Sequence, residues 1–343
     1  MTGPRVLVAM SGGVDSSVAA SLLAAQGADV TGVTLKLWGG ESDSGCCSAS
    51  DVEDARRVAA QLDIPHYVFN FTEDFESQVI DPYVASYAAG RTPNPCVECN
   101  RSIKFGRLLE RADALGFEYV ATGHHARVER DAHGVYSLSR GADARKDQSY
   151  VLYMLGQPEL ARTMLPIGGL TKSAVRAHAA RLGLRTAAKP DSMDVCFIAR
   201  GGRQQFLASR VGTRPGAIVD TDGDVVGHHQ GVTAFTVGQR RGLGVAAGAR
   251  RYVLDVDAET ATVTVGARER LACDAVELLN LSFVGESFHG RSVLAQARAH
   301  GDAVAASLDG TTVRFTRPQP RVAPGQVVAL YDAEVLVGGG IAA

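Results

Sequence analysis

Val6-Leu7-Val8-Ala9-Met10-Ser11-Gly12-Gly13-Val14-Asp15-Ser16-Ser17 is the stretch on which the fold of this chain turns. The apolar run from Val6 to Met10 reads as a buried strand. Val18 to Ala25 are mostly good helix formers with apolar spacing. A Gly/Ser-rich turn therefore joins a strand to a helix N-terminus. That arrangement gathers backbone N–H groups and the positive end of a helix dipole at one point, which suits an anion such as a phosphate. The glycines let the backbone approach a ligand closely, and the serine hydroxyls add donors. No lysine follows, so the loop is not the GxxxxGK[ST] type that grips a transferable γ-phosphate.

Outward from the loop, strands and helices alternate over the first two hundred residues or so. Asp29–Leu37, His66–Phe71 and Tyr119–Thr122 read as strands. Ser50–Leu62, Glu73–Ala89 (interrupted by Pro82), Lys104–Leu115, Ser149–Leu155 and Lys172–Leu182 have helical patterns. This rhythm predicts an α/β fold with a doubly wound, mostly parallel sheet and the loop at the carboxyl end of its first strand. After about Gly201 the pattern changes to short strands and turns, including a hairpin around Asp222-Gly223-Asp224. We expect three domains: an α/β domain over 1–203, a small β-rich domain over 204–270 and a C-terminal β-barrel over 271–343.

The chain has 343 residues, 45% hydrophobic and 21% charged, which describes a globular protein. No run approaches the ~18 apolar residues of a membrane span. The N-terminus enters a core strand directly, so no membrane association and a cytoplasmic location are expected. Net charge is −2 and excludes nothing about nucleic acid. Local charge is more suggestive: Arg91, Arg101, Lys104 and Arg107 form one basic cluster, Arg240, Arg241, Arg250 and Arg251 a second, and Arg314, Arg317 and Arg321 a third. They make a polyanion footprint only if they share a surface.

Six cysteines are present: Cys46, Cys47, Cys96, Cys99, Cys196 and Cys273. In a cytoplasmic chain they point to reactive or metal-binding thiols rather than structural disulfides. Cys96 and Cys99 lie in Pro93-Asn94-Pro95-Cys96-Val97-Glu98-Cys99, where the prolines predict an exposed, shaped loop. Cys196 lies in a Pro/Asp-containing loop as well. Cys273 reads as a small buried hydrophobe. A lone CxxC fits half a zinc site, a redox pair or part of an iron–sulfur site, and no second CxxC or HxxxH completes structural zinc. His124-His125 close a predicted strand at the ligand edge of the sheet, where one of them can meet a substrate. His228-His229 read as surface, and Lys146-Asp147-Gln148 as a polar helix start with Asp147 as cap.

The loop resembles the SGGxDS pyrophosphate loop of ATP pyrophosphatases. It is followed in order by Gly-Arg-Thr-Pro-Asn-Pro (90–95), Ala-Thr-Gly-His (121–124), Lys-Asp-Gln-Ser-Tyr (146–150), Asp-Val-Cys-Phe-Ile (194–198) and Thr-Val-Gly-Gln-Arg-Arg-Gly-Leu-Gly (236–244). With these motifs the chain resembles the bacterial tRNA-specific 2-thiouridylases over nearly its whole length. The resemblance implies ATP-dependent 2-thiolation of the wobble uridine (position 34) of tRNA, a sulfurtransferase reaction. It implies that Ala9, Met10, Ser11, Gly12, Gly13, Val14, Asp15, Ser16, Leu35 and Gly123 bind ATP, with Mg2+. Asn94, Pro95 and Cys96 would face the target base, and His124, Lys146, Asp147, Gln148, Arg298 and Gln326 would touch tRNA. Cys99 aligns with the family's nucleophile and Cys196 with its persulfide carrier, so a cysteine desulfurase or persulfide carrier is the implied donor to a monomeric enzyme.

The chain departs from the family's pattern at two places. Cys96 stands where the family often has Asp, a proposed acid/base group, and a thiol titrates about four units higher than a carboxyl. Arg298-Ala299-His300 lacks the aromatic residue and second arginine typical of the barrel contact. An alternative uses Cys96, Cys99 and Cys196 as ligands of a [4Fe–4S] cluster, a role for which a thiolate suits position 96. Another ATP-pyrophosphatase ligase is a further alternative.

Overall fold

The computed structural model describes residues 3–38, 48–191, 195–198, 202–245, 250–288 and 290–343. Cys46 and Cys47 lie outside the described residues. The chain opens with β1 (Arg5–Ala9), α1 (Val14–Ala25), β2 (Asp29–Lys36), α2 (Ala49–Gln61) and β3 (His66–Asn70). Two helical runs, 72–88 and 95–114, lead to β4 (Tyr119–Ala121). A hairpin of β5 (Ala126–Arg130) and β6 (Tyr136–Arg140) precedes β7 (Thr163–Met164), and the helices Lys172–Arg181 and Arg203–Val211 follow.

Five of these strands form one parallel sheet in the order β3-β2-β1-β4-β7. Both faces are covered, as a parallel sheet requires. One apolar layer joins α1, α2 and the helix Lys172–Arg181 through Val18, Val58 and Val175. The other joins the runs 72–88 and 95–114 to Leu7, Val33 and Val120. The strand order reverses between β2 and β4 on either side of β1, and in open α/β sheets ligands bind at that switch point, beyond the carboxyl ends. The loop 11–17 sits there.

Two local expectations need correction. Pro95 does not hold an exposed loop: it opens a helix, Pro95–Glu98, that continues through Cys99–Arg107 in wider turns and ends at Ala114. Proline at a first helical position gives up only an N–H that has no intrahelical partner. Asn94 caps the helix, its Oδ1 accepting from Cys96 N at 3.1 Å. Pro82 likewise does not break the run 72–88, because it sits in the first turn of Asp81–Ala88, just after a widened turn at Glu76–Ile80.

The small β-rich region holds β8 (Gly216–Val219), β9 (Val225–His229), β10 (Tyr252–Asp257) and β11 (Thr262–Gly266), ordered β10-β11-β8-β9. His229 is buried there, its Nε2 3.1 Å from the Ala261 carbonyl oxygen, rather than at the surface. The last strands are β12 (Ala272–Phe283), β13 (Ser292–Gln296), β14 (Val304–Asp309), β15 (Thr312–Pro320), β16 (Val327–Asp332) and β17 (Val335–Ala342). They run β12-β15-β14-β13-β16-β17, and β17 pairs back onto β12, which closes a barrel. Cys273, on β12, is half-buried rather than fully enclosed. The hairpin β5–β6 adds to β17 through Leu138 and Ser139, so the first domain contributes two strands to the barrel's sheet.

Candidate active site

The loop has the geometry that its glycines and serines require. Gly12 has φ +72°, and a Cβ there would lie 2.2 Å from the Asp51 carbonyl oxygen. Gly123, just beyond β4, packs so closely on the loop that a Cβ would lie 2.7 Å from Ser16 N. These two glycines bring backbone from α2 and β4 against the start of α1. Ser16 Oγ accepts from Ser11 N at 3.1 Å, and the Ser17 hydroxyl donates to the Gly13 carbonyl at 2.8 Å, which curls the loop back on itself. Gly13, the N-cap, offers no side-chain acceptor to the first turn. A bound anion is the natural acceptor for such N–H groups.

Around this loop stands a set of charged residues that the sequence motifs do not announce. Lys172 Nζ donates to Asp15 Oδ2 at 2.6 Å, and His125 Nε2 lies 3.2 Å from Asp15 Oδ1. Burial pushes the Asp15 carboxyl up, but the hydrogen bonds from His125 and Lys172 outweigh it and hold it below its ordinary range. Lys189 Nζ donates to the Gly12 carbonyl at 3.0 Å, to Asp51 at 2.6 Å and to Asp54 at 2.7 Å. Asp191 receives Lys146 at 2.7 Å, Lys172 at 2.9 Å and Arg176 at 2.7 Å. Burial pushes its carboxyl up, but Lys146 and Lys172 outweigh this and hold it well below the usual range. No motif pointed to Lys172, Lys189 or Asp191, because they approach the loop from the helix Lys172–Arg181 and the segment after it. The only sequence signal for them is the position of that helix after the last parallel strand.

The polar triplet Lys146-Asp147-Gln148 supports the site from within. Gln148 Oε1 accepts from His125 N at 2.9 Å. Asp147 is buried and accepts from Arg140, Gly141 N, Ser149 N and the Ser149 hydroxyl. The Arg140 guanidinium lies 3.7 Å from the centre of the Tyr331 ring, so the same triplet reaches the barrel. His124 is 7% exposed, its Nδ1 2.7 Å from Thr122 Oγ1. His125, rather than His124, meets the loop 11–17 through Asp15. Leu35 is buried on β2 in the apolar layer that also contains Cys99.

The cysteines divide by position. Cys99 is 6% exposed and belongs to the layer formed by Leu35, Leu37, Phe75 and Ile103, and Cys196 packs against the same layer. Phe197 anchors the Cys196 segment, with ring centroids 5.6 Å from Phe75 and 5.5 Å from both Tyr83 and Phe206. Cys96, three residues before Cys99 on the same helical run, is half-buried. Among the described residues no three His, Cys, Asp or Glu side chains converge as a metal site. Cys96 and Cys99 stand on one helical run, and Cys196 reaches the layer around Cys99 from a separate segment.

The segment just before Asn94 rests on both β-rich parts of the chain. Thr92 N donates to the Pro324 carbonyl at 2.7 Å, and Thr92 Oγ1 to Thr236 Oγ1 at 3.2 Å. Gln326, half-buried, lies two residues beyond Pro324, and Arg298 is exposed at the end of β13. Members of two of the basic clusters are paired with acids. Arg107 pairs with Asp74 and Glu110, Arg101 with Glu98, and Arg251 with Asp220. A cleft of about 460 Å³ lined by Phe69, Phe71, Arg107 and Arg111 lies at the β3 edge of the sheet, two strands from the loop.

Comparison with known proteins places these features in company. Residues 4–200 match the model of a tRNA methyl transferase HUP domain, 204–267 a tRNA methyl transferase PRC-barrel domain, and 277–342 an aminomethyltransferase beta-barrel domain. The chain is 48% identical over 364 residues to the tRNA-specific 2-thiouridylase MnmA of Roseiflexus castenholzii, covering 98% of each chain. It is 47% identical over 349 residues to the protein of that name from Moorella thermoacetica, covering 97% of this chain and 98% of that one. Among solved structures it resembles a 4-thiouridine synthetase in complex with RNA and ATP, with 18% identity and a TM-score of 0.39 over 56% of this chain and 44% of the other.

Proposed function

The chain belongs to the tRNA-specific 2-thiouridylase family, and from that membership we propose how its own residues carry out the reaction. The reaction is ATP-dependent 2-thiolation of uridine 34 in tRNA. ATP is a substrate here, bound by Ala9 to Ser16 with Leu35 and Gly123 at the edge of the pocket. The O2 oxygen of the uridine attacks the α-phosphorus, the bond to the β-phosphate oxygen breaks, and pyrophosphate is held by the loop N–H groups. The base now carries AMP at C2, a good leaving group. Mg2+ accompanies the nucleotide charge. The Asp15 carboxylate is already paired with the Lys172 ammonium and lies beside His125.

Sulfur arrives as a persulfide on Cys196, supplied by a cysteine desulfurase or persulfide carrier. Its terminal sulfur attacks C2 and AMP departs, which leaves the base joined through sulfur to Cys196. The Cys99 thiolate then attacks Cys196 Sγ. The S–S bond breaks with its electron pair going to the base sulfur, and 2-thiouridine leaves. The Cys99–Cys196 disulfide so formed takes two electrons from a cellular thiol before the next cycle. The observation that carries this reading is the packing of Cys99 and the Cys196 segment in one apolar layer.

Asn94, Pro95 and Cys96 face the base in this reading, with Arg298 and Gln326 reaching the tRNA from the barrel. His124 and Asp147, both buried, set the shape of the surface that the tRNA meets, and Lys146 and the exposed Gln148 touch it. The reading takes 1–203 as the catalytic domain, 204–270 and 271–343 as the supporting β domains, and a cytoplasmic monomer as the working form. Among the described residues no helix is long and apolar enough to cross a membrane. Cys99→Ser and Cys196→Ser are each expected to abolish thiolation, read by mass spectrometry of wobble nucleosides, while leaving tRNA binding largely intact. Thiolation retained in either variant sinks the two-cysteine scheme.

A further inference from the structure

The phosphate loop holds an electrostatic conflict. Its N–H groups suit a polyanion, yet Asp15 stands in the first turn of α1, where its carboxylate repels one. No lysine follows in sequence to offset it. The structure brings one from 157 residues away. Lys172 Nζ donates to Asp15 Oδ2 at 2.6 Å and lies 2.9 Å from Asp191 Oδ1.

Its position is fixed at both ends. Lys172 is the first residue of its helix, which Thr171 caps by accepting from Ala174 N at 3.2 Å, and Lys172 N donates to Asp143 Oδ2 at 2.9 Å. The Lys172 side chain is only 12% exposed, a poor location for a cation whose sole role is a surface ion pair. Asp191, shared with Lys146 and Arg176, holds it from the other side. The three cations, Lys146, Lys172 and Arg176, face Asp15 and Asp191, with the Asp143 carboxylate beside them. An ammonium has three donors, and two of the directions around Lys172 are taken by carboxylates. The remaining donor suits an oxygen bound against Asp15.

We infer that Lys172 is the phosphate-binding cation of this loop, supplied from a distant helix in place of the lysine that the loop lacks. Asp15 and Asp191 are its positioning residues. Lys172 donates to an oxygen of the pyrophosphate half of ATP, neutralises charge as the bond to the α-phosphate breaks, and holds the leaving group. This inference rests on the ATP-dependent reaction proposed above.

The test measures binding of ATP, AMP and inorganic pyrophosphate by calorimetry to the full chain and its variants. Lys172→Met is expected to weaken ATP and pyrophosphate about ten- to a hundredfold, the span of a hydrogen bond to a charged group. AMP affinity stays unchanged, which shows that the fold is intact, and Lys172→Arg recovers part of the loss. Unchanged ATP affinity in Lys172→Met overturns the assignment, and so does an equal loss of AMP. The double variant Asp15→Asn/Lys172→Met separates contact from charge balance. It stays weak if Lys172 touches phosphate, and a return to wild-type affinity overturns the contact. A wild-type chain that binds no ATP overturns the proposed reaction itself, and the lysine's role with it.

Discussion

His124 shows what one buried residue does to the pH behaviour of the fold. Burial, with Lys104 and His125 nearby, pushes its imidazole well below the ordinary histidine range. The unfolded chain therefore binds a proton at a pH where the folded chain does not. Between the folded and unfolded values the unfolded state holds more protons, so stability rises with pH there and is lost as pH falls below about 6.5. His66 and His229 are shifted in the same direction, also mainly by burial. The chain should lose stability between neutral pH and pH 5.5, read as a falling denaturation midpoint. His124→Asn is expected to remove up to one proton from that dependence, or about 1.4 kcal/mol per pH unit. An unchanged slope in the variant would place the acid sensitivity at other groups.

At the scale of elements, the helical run from Pro95 to Ala114 controls where the cysteines stand. Asn94 closes its N-terminus, so Asn94→Ala should cost about 1 kcal/mol of stability, while Asn94→Asp keeps the cap. The two variants separate structure from recognition: if the amide also meets the base, Asn94→Asp folds like the wild type and still loses thiolation, whereas full activity leaves Asn94 with a capping role alone. This run also marks the limit of reading from sequence. Loop 11–17, the strands β1 to β4 and most of the barrel strands follow local periodicity and were legible, whereas the two-residue β7 is too short to show a pattern. Pro93 and Pro95 read as loop residues because a proline pattern does not distinguish a first helical position from a turn. The hairpin β5–β6 escaped notice because its strands bury their faces only when β17 is beside them. Lys172 escaped because a charge pair across 157 residues leaves no local pattern, and Asp191 because its partners Lys146 and Arg176 lie 45 and 15 residues away. Motif reading located Cys99 and Cys196, but their shared packing layer depends on Phe197 meeting Phe75 and Tyr83, which only the tertiary fold provides.

At the scale of the whole molecule, the barrel shares a core with the α/β part of the chain rather than standing as an appended unit. Val97, Phe105, Tyr150 and Tyr153 share one apolar cluster with Val327, Ala329, Tyr331 and Leu336 of the barrel. Tyr331 is fully buried at this seam. Its hydroxyl is pushed up to about 12, chiefly by burial, and lies 3.0 Å from the Ser149 hydroxyl. A chain ending at residue 270 would expose Val97, Tyr150 and Tyr153 together and leave the β6 edge at Leu138 and Ser139 without a partner. An open apolar face beside an unpaired strand edge is a template for association. The truncated chain is therefore expected to aggregate or to bind a hydrophobic dye strongly, measured by size-exclusion chromatography and dye fluorescence against the full chain. Its ATP site should be impaired too, because Arg140 bridges Tyr331 to Asp147 and the adjacent Gln148 holds His125 beside Asp15. A monomeric 1–270 chain with the full chain's midpoint and ATP affinity would show the barrel to be a separable module. The shared core argues the opposite: Val97, Tyr150 and Tyr153 keep their packing, and Arg140 its place beside Asp147, only with the barrel against them.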